Sequence, residues 1–269
     1  MRDFTNKVVF VTGAAGGLGR ALCHRFGRAG ARIAATDLGR KAVDGLVEDL
    51  SSAGIEARGY VLDVCDEAAC RKCVGDARRD FGSLDVLVNN AGITHRSAFA
   101  DTETAVYRKV MDVNFFGSLY CAKAAMPHLL EAKGLIVVVS SVAGITPLLG
   151  RTGYSASKHA LHGLFDSLRA ELAGTGVGVT IVCPGFTATN INKAALDFDG
   201  RPARHPQSTV GRVATPEETA DDIYRAARRE RRLAVFSRIG KLSHLISRAN
   251  PGLYERLMTR SVAHELERD

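Results

Sequence analysis

An apolar run near the N-terminus leads directly into a glycine-rich turn. Lys7-Val-Val-Phe-Val-Thr12 has the composition of a buried strand, Gly13-Ala-Ala-Gly16-Gly17-Leu18-Gly19 follows it, and residues 20–26 continue at helical spacing. This order of strand, glycine turn and helix is the context that a dinucleotide-binding fingerprint requires. Glycine lets the backbone approach a pyrophosphate, which then rests at the helix N-terminus. The chain is therefore predicted to begin with the first β-α unit of a nucleotide-binding sheet.

The rest of the chain continues this alternation of strand and helix. Such alternation is typical of a parallel sheet covered by helices on both faces. A chain of 269 residues, 46% of them hydrophobic, is long enough for one large α/β domain. We predict a single-domain, Rossmann-type, doubly wound parallel sheet of about seven strands over 1–238, followed by a C-terminal helical extension over 239–269 that packs on the same domain or on a partner. Strands are predicted near 7–12, 31–36, 57–62, 84–89, 134–140, 177–183 and 232–237, and helices near 17–29, 40–53, 66–80, 102–132, 153–173 and 216–229.

An acidic residue follows the second predicted strand. Asp37 lies 24 residues after Gly13, about where a carboxylate meets the ribose hydroxyls of NAD. The same carboxylate repels the 2′-phosphate of NADP, so NAD is the favoured cofactor. Arg40 and Lys41 follow closely and would reach a 2′-phosphate if the loop folded back; otherwise they are solvated residues at the start of a helix. NADP therefore stays open as the less favoured alternative.

Tyr154 and Lys158 lie four residues apart in the segment 153–158. The flanking apolar residues predict a helix, and residues at this spacing share one helix face. A free phenol has a pKa near ~10, and a neighbouring ammonium favours the phenolate and so lowers that pKa. Lowering the pKa by roughly 3 units corresponds to ~4 kcal/mol. The pair is therefore predicted to act as a general acid/base closer to neutral pH.

Further motifs follow the predicted strands in order. They are Leu62-Asp63-Val64 after the third strand, Asn89-Asn90-Ala91-Gly92 after the fourth, Asn114 in the segment 111–117, Ser141 after the fifth strand, and Pro184-Gly185-Phe-Thr187-Ala-Thr189 after the sixth. With these motifs, over roughly residues 5–190, the chain resembles the short-chain dehydrogenase/reductase family. The glycine pattern of that family, Thr-Gly-x-x-x-Gly-x-Gly, is met by Thr12, Gly13, Gly17 and Gly19.

The resemblance implies a role for each of these residues. Tyr154 is expected to be the general base in alcohol oxidation and the general acid in the reverse direction. Lys158 is expected to lower the pKa of Tyr154 and to hold the nicotinamide ribose. Ser141 is expected to orient the substrate oxygen, and Asn114 to hold a water that links Lys158 to solvent. The expected dinucleotide contacts are Gly13, Gly17, Leu18, Gly19, Asp37, Asp63, Val64, Asn90, Ala91, Gly92, Tyr154, Lys158, Pro184, Gly185, Thr187 and Thr189. The resemblance also implies a homodimer or homotetramer that pairs through helices 102–132 and 153–173.

Three segments are expected to border the substrate pocket: 93–99, 142–149 and a lid over 186–210. Loops as long as the last one are often functional or mobile. The apolar side chains of the three segments favour a lipophilic secondary alcohol or ketone, steroid-like or long-chain, as the substrate. The alternative is that these side chains are ordinary packing residues. His95 is a weaker candidate contact, because a solvated loop histidine is the commoner arrangement. The candidate substrate contacts are His95, Ile145, Leu148, Leu149 and Phe186.

Positive charge is concentrated towards the C-terminus. From Arg225 to Arg248 there are seven Arg and one Lys against one acid, Glu230. Apolar residues recur at helical spacing in the same stretch: Ile239, Leu242, Leu245 and Ile246. A basic amphipathic helix can lie on an anionic membrane surface, so peripheral membrane contact stays open. The favoured interpretation is a helix packed on its own domain or on a partner subunit, with solvated arginines.

Neither a membrane span nor a metal site is predicted. No apolar run approaches the ~18 residues of a transmembrane helix. The first strand begins by about residue 7, which leaves no room for a cleavable targeting peptide, so a cytoplasmic location is expected. Cys70-Arg-Lys-Cys73, with Cys65 nearby, lacks a second pair of ligands. The six cysteines show no disulfide framework and are expected to be reduced thiols: Cys23, Cys65, Cys70, Cys73, Cys121 and Cys183.

Other classes of function are weighed against the favoured NAD-dependent oxidoreductase. A pI near 9.2 would suit a nucleic-acid binder, but the charge lies at one end and no recognition motif stands out, so no nucleic-acid partner is expected. A catalytically silent dinucleotide-sensing protein would have no need for the set Asn114, Ser141, Tyr154 and Lys158. Among enzymes, the runner-up is an NADP-dependent ketone or 3-oxoacyl reductase. We therefore expect a small-molecule alcohol or ketone as the substrate.

Overall fold

The chain forms a parallel sheet with helices on both faces. The computed structural model describes residues 1–191, 194–203 and 209–262. In these ranges the strands are β1 (Val8–Thr12), β2 (Arg32–Asp37), β3 (Ala57–Val61), β4 (Val86–Asn89), β5 (Leu135–Val139), β6 (Gly178–Cys183) and β7 (Leu233–Val235). Their order in the sheet is β3-β2-β1-β4-β5-β6-β7, and each neighbouring pair is parallel. The predicted doubly wound sheet of about seven strands is therefore confirmed.

The helices of the described ranges alternate with these strands along the chain. They are α1 (Gly17–Gly27), α2 (Arg40–Ser52), α3 (Glu67–Phe81), α4 (Thr104–Met111), α5 (Gly117–Ala132), α6 (Thr152–Glu171), α7 (Pro216–Arg228), α8 (Arg238–Ala249) and α9 (Pro251–Ser261). A π-helical turn, Asp112–Phe116, joins α4 to α5, and a short 3-10 turn, Val142–Gly144, follows β5.

Two hydrophobic layers hold the helices against the sheet. Val9 and Val11 of β1 face a layer formed with α1, α2 and α7, whereas Val8 and Phe10 face a layer formed with α3, α5 and α6. Because both faces are covered, the central strands are unbroken apolar runs, as in the fully buried strand β5. Each large side chain buried in these layers contributes about 1.5–3 kcal/mol. The sheet is thereby a rigid support for the loops at its carboxyl edge.

The sequence order of the strands reverses between β1 and β4. β2 and β3 lie on one side of β1, and β4 to β7 lie on the other. In open α/β sheets, ligands bind at such a switch point, outside the carboxyl ends of the strands. Thr12, Asn89, Val139 and Cys183 end four of these strands, so the loops after them meet at that edge.

The segment 102–132 was expected to be a single helix but is interrupted. The π-helical turn Asp112–Phe116 inserts between α4 and α5. A π turn closes i→i+5 hydrogen bonds and is common at functional sites. The apolar spacing of the sequence does not reveal it, because one extra residue in a turn leaves both flanking helices amphipathic.

The helices α8 and α9 pack beside the loop that follows β5. The Tyr254 hydroxyl donates to the Pro147 carbonyl at 3.0 Å and lies 3.1 Å from Thr146 Oγ1. A Cβ atom on Gly240 would lie 2.7 Å from Val142 Cγ2, so α8 begins close to the same loop. Residues 263–269, the end of the expected extension, lie outside the described residues. In the ranges that are described, no helix is long and apolar enough to cross a membrane.

The cysteines of the described structure are free thiols. Cys70 faces Cys121 of α5, with 3.7 Å between the two sulfur atoms, rather than Cys73 of its own helix. Among the described residues, no group of three or more His, Cys, Asp or Glu side chains could hold a metal ion.

Candidate active site

The glycine turn after β1 has a conformation that side chains would prevent. Gly13 has φ +61°, and a Cβ atom there would lie 2.9 Å from the Cα atom of Ala91. A Cβ atom on Gly19 would collide with the Gly13 carbonyl oxygen and lie 2.8 Å from the Cα atom of Ala14. No side chain caps α1, and no acidic residue lies in its first turn. The N-terminus of α1 therefore presents backbone N–H groups suited to a pyrophosphate.

Asn90 and Ala91 fasten this turn to β4. The Thr12 hydroxyl oxygen accepts hydrogen bonds from the backbone N–H groups of Asn90 and Ala91, each at 3.0 Å. Asn90 Nδ2 donates to the carbonyl oxygens of Thr12 at 2.9 Å and of Gly13 at 3.1 Å. The expected dinucleotide segment 89–92 thus lies against the glycine turn, at the point where the strand order reverses.

Asp37 is oriented by the same turn. Its Oδ2 accepts from the Ala15 N–H at 2.9 Å, and its Oδ1 accepts from the Leu38 N–H at 2.8 Å. The side chain is half-buried, and each oxygen keeps a lone pair for a ribose hydroxyl. Arg40 points along its own helix to Asp44, at 3.6 Å. The structure therefore places a fixed carboxylate beside the turn, and Arg40, three residues further along the chain, pairs with Asp44.

The remaining expected dinucleotide contacts lie along the same edge. Val64 is buried and fills the space beside Gly117, where an added Cβ atom would lie 2.7 Å from Val64 Cγ2. Asp63 is exposed and accepts from the Cys65 N–H at 2.9 Å. After β6, the Pro184 carbonyl accepts from the Val142 N–H. The other expected contacts after β6 are Gly185, Thr187 and Thr189, of which Thr189 lies against Gly17, 3.3 Å from a Cβ atom built there.

Tyr154, Lys158 and Ser141 lie together at the carboxyl ends of β5 and β6. Lys158 is 4% exposed, and its Nζ donates to the Val139 carbonyl at 2.9 Å. The same Nζ lies 5.8 Å from the centre of the Tyr154 ring. Ser141 begins the 3-10 turn, where its Oγ accepts from the Ala143 N–H at 3.1 Å. This leaves the Ser141 hydroxyl proton to donate to the nearby Tyr154 hydroxyl or to a substrate oxygen.

Asn114 is held in the π-helical turn by three hydrogen bonds. Its Oδ1 accepts from the Ile93 N–H at 2.8 Å, and its Nδ2 donates to the Ile93 carbonyl at 3.0 Å and to Ser157 Oγ at 2.8 Å. A Cβ atom on Gly92 would lie 3.1 Å from Asn114 Oδ1 and 3.5 Å from Lys158 Nζ. The carboxamide oxygen and the ammonium therefore border one small space over Gly92, which suits the expected relay.

The pKa of Tyr154 differs from the expectation. Burial raises the pKa of Tyr154, while the nearby Ser141 hydroxyl and the charge of Arg151 act in the opposite direction without overcoming burial. Burial also lowers the pKa of Lys158 to about 8. The predicted fall of the phenol pKa below its usual value is therefore wrong for this structure, because burial outweighs the neighbouring charges. The sequence shows the spacing of the two side chains but not the desolvation of both.

His95 lies in a different environment from the one expected. It is 0% exposed, its Nε2 accepts from the Gly153 N–H at 2.8 Å, and its Nδ1 lies 3.3 Å from Ser97 Oγ. The solvated loop histidine is therefore wrong, and a direct substrate contact does not fit a ring with both nitrogen atoms engaged. Burial, followed by the charge of Arg151, lowers the pKa of His95 to about 4.

Ser157 is a buried residue of the site that the sequence prediction missed. It is fully buried, accepts from Asn114 Nδ2 and donates to the Tyr154 carbonyl at 2.8 Å. It thus links two candidate catalytic residues. Its position three residues after Tyr154, inside the same motif, was the available signal.

The apolar residues predicted to contact substrate are half-buried in the loops after Ser141 and Gly185. They are Ile145, Leu148, Leu149 and Phe186. Part of the expected lid, 186–210, packs on the loop after β4, because Leu196 exchanges backbone hydrogen bonds with Thr94 and Arg96. Residues 192–193 and 204–208 of that segment lie outside the described residues.

The groups around Tyr154 could move a proton to or from a substrate oxygen. Tyr154 supplies an acid/base hydroxyl, Ser141 supplies a hydrogen-bond donor, and Lys158 supplies a buried positive charge. The glycine turn and Asp37 lie across the same edge of the sheet and fit a dinucleotide.

The chain is similar to known proteins in both sequence and structure. The family model described as short chain dehydrogenase matches residues 7–199. The chain is 35% identical over 259 residues to Dehydrogenase/reductase SDR family member 7B from Mus musculus, with 94% of this chain and 80% of the relative covered. It is 34% identical over 217 residues to meso-2,3-butanediol dehydrogenase from Serratia marcescens, with coverages of 81% and 85%. Among solved structures, a short chain dehydrogenase/reductase from Burkholderia phymatum in complex with NAD matches with a TM-score of 0.84 at 25% identity, over 94% of this chain and 96% of that one.

Proposed function

This chain belongs to the short-chain dehydrogenase/reductase family of nicotinamide-dependent enzymes that act on CH–OH groups, and we propose that it interconverts a lipophilic secondary alcohol and its ketone. The observation that carries the proposal is the meeting of Ser141, Tyr154 and Lys158 at the carboxyl ends of β5 and β6, and the half-buried apolar residues of the loop after Ser141 support a lipophilic substrate. The bound dinucleotide supplies or accepts the hydride. Side chains of this chain transfer the proton and orient the substrate oxygen.

In the proposed mechanism, Tyr154 Oη carries the proton. In the reductive direction the phenol donates its proton to the ketone oxygen, and Ser141 Oγ donates a second hydrogen bond that orients that oxygen. In the oxidative direction the phenolate takes the proton from the alcohol. Burial raises the pKa of Tyr154, so the phenol holds the proton that the reductive step requires at neutral pH.

Lys158 and Asn114 act behind the tyrosine. With a pKa of about 8, Lys158 keeps its proton at neutral pH, and the Val139 carbonyl holds its ammonium in place. A positive charge there favours the phenolate as the proton leaves. Asn114 Oδ1, which borders the same space over Gly92, supports the proposed relay of that proton to solvent through a water.

NAD is the proposed cofactor rather than NADP. Asp37 is held beside the glycine turn by two backbone N–H groups, where its negative charge would meet a 2′-phosphate. Arg40, one of the two basic residues predicted to reach that phosphate, is paired with Asp44. The NAD complex of the structural relative is consistent with this choice.

The substrate class is tested by a panel of alcohols with NAD and of ketones with NADH. The panel ranges from short aliphatic compounds to long-chain and steroid compounds, and it includes meso-2,3-butanediol because one relative is named for that diol. We expect the highest kcat/KM with a long-chain or steroid compound. A preference for the diol would reject the lipophilic substrate. A lack of turnover on every compound, despite NADH binding, would favour the dinucleotide-sensing alternative.

We propose that two copies pair through the helical segments 102–132 and 153–173. An apolar concavity on this side of the molecule is lined by Phe115, Ala160, Gly163, Leu164, Ser167, Leu168 and Glu171, and none of the candidate catalytic residues borders it. Light scattering after size exclusion should give at least a dimer for the wild type. Leu164→Glu should give a monomer, while the matched change Leu245→Glu on α8 should leave the mass unchanged. An unchanged mass for Leu164→Glu would reject this interface.

We also propose a cytoplasmic protein whose helix α8 touches an anionic membrane surface. Leu242 and Leu245 are 56% and 65% exposed, and the exposed basic residues of the helix are Arg238, Lys241 and Arg248. Pairing of this face with a second copy would bring like charges together, whereas each Lys or Arg near an anionic bilayer gains about 1 kcal/mol. The protein should sediment with phosphatidylserine-containing vesicles and not with pure phosphatidylcholine vesicles. Leu245→Glu should abolish sedimentation, and equal sedimentation of this variant would reject the contact.

A further inference from the structure

A histidine from the loop after β4 takes the place of a cap at the start of α6. We propose that His95 is a positioning residue that fixes the first turn of α6 and, through it, the place of Tyr154. His95 Nε2 accepts from the Gly153 N–H at 2.8 Å, across 58 residues of sequence. Gly153 is the residue immediately before Tyr154. The inference rests on the proposed role of Tyr154 in proton transfer.

The first turn of α6 needs an acceptor from elsewhere in the chain. The first four N–H groups of a helix have no partner within the helix. Arg151, at the N-cap position of α6, makes no side-chain capping hydrogen bond. His95 Nε2 therefore supplies to Gly153 the hydrogen bond that a Ser, Thr or Asp cap would normally supply.

A chain of hydrogen bonds fixes the tautomer of His95. The Thr102 hydroxyl donates to the Ala98 carbonyl at 2.6 Å, so Ser97, at 2.7 Å from Thr102 Oγ1, donates to Thr102. Ser97 Oγ is then the acceptor for His95 Nδ1–H at 3.3 Å. With Nδ1 protonated, Nε2 carries the lone pair that the Gly153 N–H requires. The direction of each bond in the chain follows from the bond before it.

Packing holds the ring against the helix start. A Cβ atom on Gly153 would lie 3.0 Å from His95 Nε2 and 2.8 Å from Tyr107 Cδ1. The centres of the His95 and Tyr107 rings are 5.6 Å apart. His95 is fully buried, and its pKa of about 4 keeps it neutral at working pH. A neutral ring is needed, since a proton on Nε2 would remove the acceptor.

The hydrogen bond from Gly153 to His95 matters for the reaction because it fixes the position of the Tyr154 hydroxyl. Tyr154 Oη must meet the substrate oxygen and Ser141 within hydrogen-bond distance, and a misplacement of about 1 Å can cost about 100-fold in rate. Removal of the acceptor at His95 frees the turn that carries Tyr154. It leaves the glycine turn and Asp37, which lie on other elements, unchanged.

Two substitutions separate positioning from simple loss of structure. In His95→Gln the side-chain oxygen can accept from the Gly153 N–H, whereas in His95→Leu no acceptor remains. We expect His95→Leu to lower kcat by about 10- to 100-fold with an unchanged dissociation constant for NADH, and His95→Gln to recover most of the loss. The exposed His159 of α6 is the matched control, and His159→Leu should leave kcat unchanged.

A readout without substrate keeps this inference separate from the proposed reaction. In the protein with 13C-labelled tyrosine, Tyr154→Phe assigns the Tyr154 resonance, whose titration gives the phenol pKa. We expect His95→Leu to change that pKa and His95→Gln to keep it near the wild-type value. Equal kcat values and equal pKa values for the two variants and the wild type would overturn the inference. Equal losses in both variants, together with weaker NADH binding and a lower melting temperature, would also overturn it and indicate a structural role alone.

Discussion

Asp37→Asn tests the assignment of the cofactor by removing one charge with little change in shape. The wild-type carboxylate accepts one hydrogen bond from Ala15 and one from Leu38. The asparagine oxygen can keep one of these bonds, so the glycine turn should stay folded. The substitution removes the repulsion of a 2′-phosphate and weakens the acceptor for the ribose hydroxyls.

The expected size of the effect follows from Coulomb's law. Two unit charges about 5 Å apart interact by about 3 kcal/mol at an effective dielectric constant of about 20. Asp37 is half-buried, so we reduce this figure to about 2 kcal/mol to allow for screening by salt and solvent. Since each 1.4 kcal/mol corresponds to about tenfold, the preference for NAD over NADP should fall by about 30-fold.

The assay compares kcat/KM for NADH and NADPH with the best ketone of the panel. Asp76→Asn serves as the control, because it removes a carboxylate from the exposed surface of α3, where Asp76 pairs with Lys72 and Arg79. The control should keep the wild-type preference. A change of less than about threefold in Asp37→Asn, well below the 30-fold shift of about 2 kcal/mol, would refute the electrostatic reasoning.

Gly19, Tyr254 and the two histidines His95 and His162 each support a further measurement. Gly19→Ala should weaken NADH binding in a fluorescence titration by at least about 10-fold, because its methyl group would collide with the backbone of Gly13 and displace the N-terminus of α1; wild-type affinity would contradict this. Tyr254→Phe should lower the free energy of unfolding in urea by about 1 kcal/mol, since it removes the hydroxyl that donates to the loop after β5; an unchanged value would contradict it. Burial lowers the pKa of His95 and of His162 to about 4 from 6.5, so the unfolded chain binds more protons between these values. The free energy of unfolding should therefore fall as the pH decreases from about 6.5 to about 4, and a flat profile over that range would reject the burial.

The glycine turn and the Tyr-Lys spacing could be predicted because they depend on local rules. A strand that leads into glycine residues and then a helix permits few conformations, and the four-residue spacing of Tyr154 and Lys158 fixes a shared helix face. The alternation of apolar strands with amphipathic helices likewise predicted the sheet, since each strand is covered on both faces.

Burial and long-range partners could not be predicted in the same way. His95 has no local pattern that distinguishes it from a solvated histidine, and its acceptor role depends on Gly153, 58 residues away. The pKa of Tyr154 depends on how much water the folded chain excludes, and the spacing to Lys158 carries no information on that. The π-helical turn that carries Asn114 was hidden because the apolar pattern continues through it.

The role of Tyr154 in proton transfer is tested most directly by Tyr154→Phe, which removes the phenol oxygen and keeps the ring. The measurement is kcat for the best substrate of the panel, together with the dissociation constant of NADH. General acid/base catalysis contributes about 10²- to 10⁴-fold, so the variant should lose at least about 100-fold in kcat while it binds NADH as the wild type does. A variant that binds NADH and keeps more than about a tenth of the wild-type kcat would contradict the account, since general acid/base catalysis could not then depend on this hydroxyl.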